Sequence, residues 1–490
     1  MMLISLYTSR VILASLGIED YGIYNVVGGF VGMFSLISGS LNTAINRFLT
    51  FEIGVNDDAR LKKVFSTSNT VQGLLSLIII FLAETIGLWY VNNIMVVPTE
   101  RLVAANWCYQ FSIFTFVVNL LSVPYNSAII AHERMSAFAY VSIVEAVGKL
   151  LIAFAIGYNP FDKLVYYGIL LAFFSVFIRF VYMGYCHKHF KETRFTFSFD
   201  KEMLTQMFGF AGWNFIGAGS RVLRDTGGNL LLNFYFGPVV NAARGVSISI
   251  SHAVVQFSEN FMVALNPQIT KSYANREYEY MFKLIYRGSR LSVFLLLFLS
   301  TPVILNTQFI LDLWLKEVPN HAALFSQLSI IYAMFEMISY PLVTAMLATG
   351  NIRNYQIVVG GFQCLNIPLA WLLLHFGFFP EIVVIVSIFI AHCCLISRLY
   401  MLKGMINLNG ISFFKEVYIR CLLVAILGYI LPTFSRLFFQ EGWLNFMITS
   451  LVSVISMSIC ILFIGCNKKE RKFVYSKAKE SIKRFRGTHD

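Results

Sequence analysis

The chain has 490 residues, of which 57% are hydrophobic and 13% charged, with a formal net charge of +12. A soluble protein of this length needs a charged surface, so the composition excludes that class and points to the bilayer. The surplus lysines and arginines sit in short connections between apolar runs, which marks membrane topology and excludes nucleic acid as a partner.

In chain order, the apolar runs predict helices near 1–16, 22–44, 67–90, 103–126, 138–157, 164–185, 204–235, 239–264, 285–306, 323–346, 355–376, 380–402, 417–435 and 443–465. The connections hold breakers such as Asn159-Pro160, Gly237-Pro238, Thr349-Gly350-Asn351 and Phe379-Pro380. The first run, Met1 to Leu16, would span only about 24 Å of a hydrocarbon core about 30 Å thick. It has no small-residue cleavage site and no basic arm before it, so Met1 is expected to lie inside the first helix. The expected fold is an all-α membrane protein with about fourteen transmembrane helices. Two pseudo-symmetric six-helix lobes, 1–200 and 201–405, precede a helix pair at 406–466 and a basic tail at 467–490. In that tail Val474, Ala478, Ile482 and Phe485 share one helical face, as in a segment lying on an anionic leaflet.

Lysine and arginine set the orientation. Of 38 such residues, 28 fall in loops on one side or in the tail, including Arg47, Lys271, Arg287, Arg290 and Arg398. The other side holds 4, namely Arg101, Lys163, Lys316 and Arg436. Both termini are therefore expected in the cytoplasm of a bacterial cell, with the chain multi-pass in the inner membrane. An offset of 220 aligns Gly17 with Gly237, Val26 with Val246, Ser38 with Ser258, Ala44 with Ala264, Asn46 with Asn266 and Lys63 with Lys283. Repeated halves suit a transporter that rocks about a central site.

Ionisable residues inside spans are the candidate functional groups. Arg10 lies in the first span, Glu84 in the third, Glu145 and Lys149 in the fifth, and Arg179 in the sixth. Arg221, Arg224 and Asp225 lie in the seventh, Arg244 and Glu259 in the eighth, Glu336 in the tenth and His392 in the twelfth. A mid-bilayer cation costs about 2.5–3.5 kcal/mol, so four arginines facing lipid would cost on the order of 10 kcal/mol. Arg10, Arg221, Arg224 and Arg244 are accordingly expected to face a wet, anion-binding cavity, with phosphate or pyrophosphate the natural match. Snorkelling to headgroups is the competing expectation, strongest for Arg10 and Arg244. Asp225, four residues from Arg221, is expected to neutralise it, leaving Arg224 without a partner. Glu84, Asp225, Glu259 and Glu336 are candidate cavity carboxylates or ligands for a coupling H+ or Na+.

The seventh span is too long for one straight crossing, and Gly209, Gly212, Gly217, Gly219, Gly227 and Gly228 invite either a bend or close packing. Glu145 and Lys149 read as a structural salt bridge, and His392 as a packed core histidine. His187 and His189 lack further metal ligands, and the eight cysteines form no CxxC pair. No catalytic motif is placed where chemistry could use it, so no enzyme, cofactor or metal is expected.

The run Thr8-Ser9-Arg10 followed by Leu16-Gly17-Ile18-Glu19-Asp20-Tyr21-Gly22-Ile23-Tyr24-Asn25 resembles the first-helix region of Wzx-type polysaccharide exporters. Phe208-Gly209-Phe210-Ala211-Gly212-Trp213-Asn214 resembles the opening of their seventh helix. These O-antigen flippases share a superfamily with the multidrug and toxic-compound extrusion (MATE) transporters. The resemblance implies a MATE-like fold, alternating access, and flipping of undecaprenyl-pyrophosphate-linked oligosaccharides for lipopolysaccharide and other surface polysaccharides. It implies cavity roles for Arg10, Arg221, Arg224 and Arg244. It also implies lipid-linked oligosaccharide, the membrane and other polysaccharide-assembly proteins as partners. The chain departs from the pattern by beginning inside its first helix. A cation-coupled multidrug exporter on the same fold is the alternative. A membrane-embedded polymerase or acyltransferase is disfavoured by short outer loops.

Overall fold

The computed structural model describes residues 2–93, 98–157, 162–194, 200–315, 318–436, 438, 442–472 and 476. The Asn159-Pro160 breaker and the tail residues Val474, Ala478, Ile482 and Phe485 lie outside them. The described residues form long helices joined by short turns. In order these are α1 (Met2–Met33), α2 (Ser35–Val55), α3 (Asp58–Asn93), α4 (Leu102–Ala131), α5 (Met135–Ile156), α6 (Lys163–His189) and α7 (Lys201–Phe236). They continue as α8 (Pro238–Ala274), α9 (Tyr278–Leu305), α10 (Ala322–Thr349), α11 (Arg353–His375), α12 (Ile382–Ile406), α13 (Gly410–Arg436) and α14 (Trp443–Gly465). Among the described residues, 10 helices are long and apolar enough to cross a membrane, α3–α6 and α9–α14. The chain is thus a multi-pass, all-α membrane protein.

Burial is inverted relative to a soluble domain. On α3, Ser66, Thr67, Ser68 and Gln72 are buried, whereas Leu77 and Phe81 on the same helix are 65% and 66% exposed. Small and polar side chains let helices approach and bond to one another, while large apolar ones face hydrocarbon.

The chain divides into two compact units, 1–219 with 270–276, and 220–269 with 277–490. One boundary falls within α7, and the terminal pair α13 and α14 groups with the second unit. In the first unit α4 packs along α6, α2, α3 and α1, and α1 packs on α5. Ile12, Leu16, Ile152, Ala153, Ile156 and Tyr167 form one core there. A second gathers Ile23, Val27, Cys108, Tyr109 and Leu164. In the second unit α12 and α9 both flank α10, and α14 packs on α13 and α9.

The breaks follow local chemistry. α1 contains a non-helical joint at Gly17, with φ 84° and ψ 169°, and Gly237 has φ 77° between α7 and α8. Only glycine adopts such angles at little cost. Asn56 and Arg276 take φ of 60° and 61° after α2 and α8. Both pairs are 220 residues apart, so the sequence offset reappears in the backbone. α7 runs for 36 residues, and its glycines differ: a Cβ at Gly209, Gly212 or Gly219 would meet nothing within 4 Å. A Cβ at Gly227 would lie 2.4 Å from Ile367 Cδ1 of α11, and one at Gly228 3.1 Å from Val383 Cγ1 of α12. These two glycines serve close packing.

Candidate functional site

The second unit concentrates buried charge around one face of α10. Arg224 of α7 has a side chain only 12% exposed. Its Nε and Nη2 donate to Asp225 Oδ1 and Oδ2 at 2.9 and 3.1 Å, and Nη1 donates to the Tyr332 hydroxyl. The guanidinium also lies 5.2 Å from the Tyr332 ring centroid, a cation–π geometry. Tyr332 and Glu336 are one α10 turn apart, so both present to the same side. Glu336 is half-buried and within electrostatic reach of Arg224, Tyr332 and Arg398.

Arg244 of α8 is 7% exposed and donates from Nε to Asn229 Oδ1 at 2.9 Å. The guanidinium lies beside Gly228, where an added Cβ would sit 3.8 Å from Arg244 Nη2, an ordinary contact distance. Arg398 of α12 is 2% exposed and interacts with Tyr355. Its Nε and Nη1 have no hydrogen-bond partner among the described residues. The cluster thus sets three guanidinium groups against the carboxylates of Asp225 and Glu336. Taken ionised, it carries one surplus positive charge.

Several expectations require correction. Asp225 pairs with its chain neighbour Arg224 and not with Arg221. Arg224 is the buried cation and needs a counter-charge, whereas Arg221 is exposed to the surroundings that screen it. Arg224 is therefore partnered, and Arg221 forms no hydrogen bond or ion pair among the described residues. Arg244 does not reach outward; it is sequestered on Asn229. Arg398 is no loop cation but a buried side chain inside α12, and the sequence count missed it. Its tyrosine and carboxylate neighbours come from other helices, so spacing gave no signal. Arg290 and Lys271 also lie within helices, paired with Glu470 at 2.8 Å and Glu133 at 2.7 Å. His392 is not simply packed: Nδ1 meets Ile388 O at 2.7 Å and Nε2 meets the Tyr418 hydroxyl at 2.8 Å.

The remaining candidates scatter. Arg10 is exposed on α1 and belongs to the first unit. Glu84 sits in a π-helical turn of α3, exposed, and accepts from Gln110 Nε2 at 3.1 Å. Glu259 is exposed on α8, and both it and Arg221 act electrostatically on Tyr340. Glu145 and Lys149 form the expected salt bridge at 2.7 Å. Among the described residues no group of histidine, cysteine and acidic side chains has metal-binding geometry.

Beside the polar cluster, α10 presents its other face to a wholly different space. Phe335, Met334, Ile338, Leu297, Leu422 and Tyr429 line an apolar cavity of about 370 Å³ against α9 and α13. One helix therefore separates buried charge from a hydrocarbon-like recess.

No protein-family description matches the chain, and no curated protein matches it. Solved structures do. One is an outward-facing multidrug resistance MATE family transporter of the MOP superfamily, with TM-score 0.70, 14% identity, and coverage of 83% of this chain and 92% of that one. Another is a MATE in complex with MaD3S, at TM-score 0.69 and 14% identity over 83% and 93% of the two chains. A third is a MOP superfamily transporter from Pyrococcus furiosus described by the reverse polarity of its binding pocket, at TM-score 0.68 and 13% identity over 83% and 93%. The chain has the MATE-like fold of these MOP superfamily transporters.

Proposed function

We propose that the protein is a transporter that moves an anionic lipid-linked oligosaccharide, carried on a polyprenyl pyrophosphate, across the inner membrane by alternating access. The carrying observation is the excess of buried guanidinium over carboxylate in the second unit, at Arg224, Arg244 and Arg398 against Asp225 and Glu336. Guanidinium groups match the oxygens of a pyrophosphate and retain their charge at any physiological pH. The Pyrococcus furiosus neighbour is described as having a pocket of reversed polarity that suggests a different function. A cationic cluster on this fold fits a similar departure from drug export.

Within this reading the buried charge of Arg224 engages the pyrophosphate by exchange with Asp225, and Arg10 and Arg221 act from exposed positions. The polyprenyl chain stays in lipid. The expected orientation places both termini in the cytoplasm, and coupling to H+ or Na+ falls to Glu336 or Asp225. Deleting the gene is expected to leave lipid-linked repeat units on the inner leaflet and to abolish surface polysaccharide. Complementation with Arg224→Ala, at wild-type protein level, is expected to fail. Undiminished surface polysaccharide in the deletion strain overturns the assignment.

Multidrug efflux is the second reading. Its support is the fold neighbour described as a multidrug resistance MATE transporter, together with the exposed carboxylates of Asp225 and Glu259. Broad resistance to cationic drugs on expression would favour it, whereas the arginines oppose such cargo.

A further inference from the structure

A cavity in the first unit is lined by none of the residues of the arginine cluster. It has a volume of about 670 Å³, within the usual range of about 300–1,000 Å³ for small-ligand sites. Three helix ends build it. The start of α3 supplies Asp58 and Lys62, the turn between α4 and α5 supplies His132, Glu133 and Arg134, and the end of α6 leads into His189 and Phe190-Lys191-Glu192. The lysine and arginine distribution assigns this side to the cytoplasm.

Its floor is fixed by specific contacts. His132 stacks on the buried Phe190 ring at 4.1 Å with an interplanar angle of 6°, and its Nε2 meets Glu192 Oε1 at 2.5 Å. Glu133, held at φ 59°, pairs with Lys271 at 2.7 Å. His189 stacks on Tyr185 at 4.3 Å and bonds to its carbonyl at 2.9 Å.

These contacts partition the charge. Two of the cavity's carboxylates, Glu133 and Glu192, are already committed to Lys271 and His132. Lys62, Arg134 and Lys191 line the same space, and none forms an ion pair among the described residues. Three cations on three different helix ends converge, with Asp58 the one lining carboxylate outside those pairs. Two ammonium groups and a guanidinium lining one cavity suit a multiply charged oxyanion such as phosphate.

We propose that this cavity binds a phosphate-bearing anion at the cytoplasmic face, with Lys62, Arg134 and Lys191 as the binding cations. The phosphate belongs either to a soluble compound or to the headgroup of an inner-leaflet lipid.

The test uses the full chain in phosphatidylcholine nanodiscs. Inorganic phosphate is titrated while unfolding temperature is read, and in parallel phosphatidylglycerol retention is read by native mass spectrometry. Both are repeated on the triple variant Lys62→Ala, Arg134→Ala, Lys191→Ala. Wild-type binding of inorganic phosphate, weakened at least tenfold in the variant, assigns a soluble ligand. Phosphatidylglycerol retention with the same loss assigns a lipid headgroup. Binding of neither probe, or equal binding by wild type and variant, overturns the proposal.

A second variant guards against misfolding. Asp58→Asn removes a negative charge from the wall without touching the cations, so it is expected to tighten binding about two- to threefold, a change on the scale of one screened charge pair. Weaker binding in Asp58→Asn overturns the electrostatic basis. The charge-preserving variant Lys62→Arg with Lys191→Arg, on native Arg134, is expected to keep the binding that the alanine triple loses.

Discussion

Glu470 fastens the segment after α14 to α9, and substituting glutamine for it tests how much one buried charge pair holds. Glu470 Oε1 accepts from Arg290 Nη2 at 2.8 Å and from Arg287 Nε at 3.1 Å. The Arg290 and Glu470 side chains are 5% and 10% exposed, whereas Arg287 is 52% exposed. Glu470 also accepts from the Asn467 amide at 2.9 Å while Asn467 Oδ1 accepts from the Glu470 amide at 2.9 Å, a reciprocal cap. Glu470→Gln keeps the shape and the cap but leaves Arg290 buried without a counter-charge. Breaking such a pair costs about 3–5 kcal/mol, and the remaining amide oxygen places this case near about 3 kcal/mol. The exposed Arg287 contact adds less than about 1 kcal/mol. At about 1.4 kcal/mol per decade, local opening should rise roughly 100-fold. Hydrogen exchange of the amides from 467 to 472 reads this directly, in the purified protein. Arg287→Gln is the control and should change protection less than about fivefold. Replacing the pair together, as Arg290→Met with Glu470→Leu, should recover most of the loss, because apolar groups need no counter-charge. Unchanged protection in Glu470→Gln would falsify the claim that this ion pair anchors the segment.

Other outcomes follow from the same geometry. A double-mutant cycle on Arg224→Gln and Asp225→Asn should give a coupling of about 1–2 kcal/mol in thermal stability, discounted because Asp225 is 53% exposed; coupling below about 0.3 kcal/mol would mean the two do not pair. Gly148→Ala should destabilise by about 1–3 kcal/mol, since the new Cβ would lie 2.0 Å from Phe174 Cζ; an unchanged melting midpoint would refute close α5–α6 contact there. Asp162 caps α6 through the amides of Leu164 and Val165 and pairs with Arg101 at 2.5 Å, so Asp162→Ala should cost about 0.5–2 kcal/mol. Burial raises the carboxyls of Asp162 and Glu192, but the hydrogen bonds from Arg101 and His132 outweigh it and hold both below the ordinary carboxylate range. A depressed folded-state value means stability that is full above the ordinary carboxylate pKa and lost as pH falls through the lowered one. Acid titration of wild type should thus show a loss that Glu192→Gln flattens, and an identical acid limb in the two proteins would count against the His132–Glu192 contact.

The sequence alone determined the class and the rhythm of the fold. Apolar runs of helical length leave the backbone no other way to satisfy its hydrogen bonds in lipid, so helix existence was legible from composition and breakers. Gly17 and Gly237 stand at breaks in the helices where positive φ favours glycine, and the 220-residue offset that pairs them was legible in the sequence. Spacing also gave the Glu145–Lys149 bridge, whose partners share one helix. Pairing across helices was another matter. The sequence placed Asp225 opposite Arg221, but the tertiary structure buried Arg224 against Tyr332 and drew the carboxylate to it. Arg398 looked like a loop cation until α12 carried it into the second unit beside Glu336 and Tyr355. Which charge is buried depends on neighbours far away in the chain, and burial decides which charge most needs a partner. Helical periodicity fixes the faces of one element, and only packing decides which faces meet.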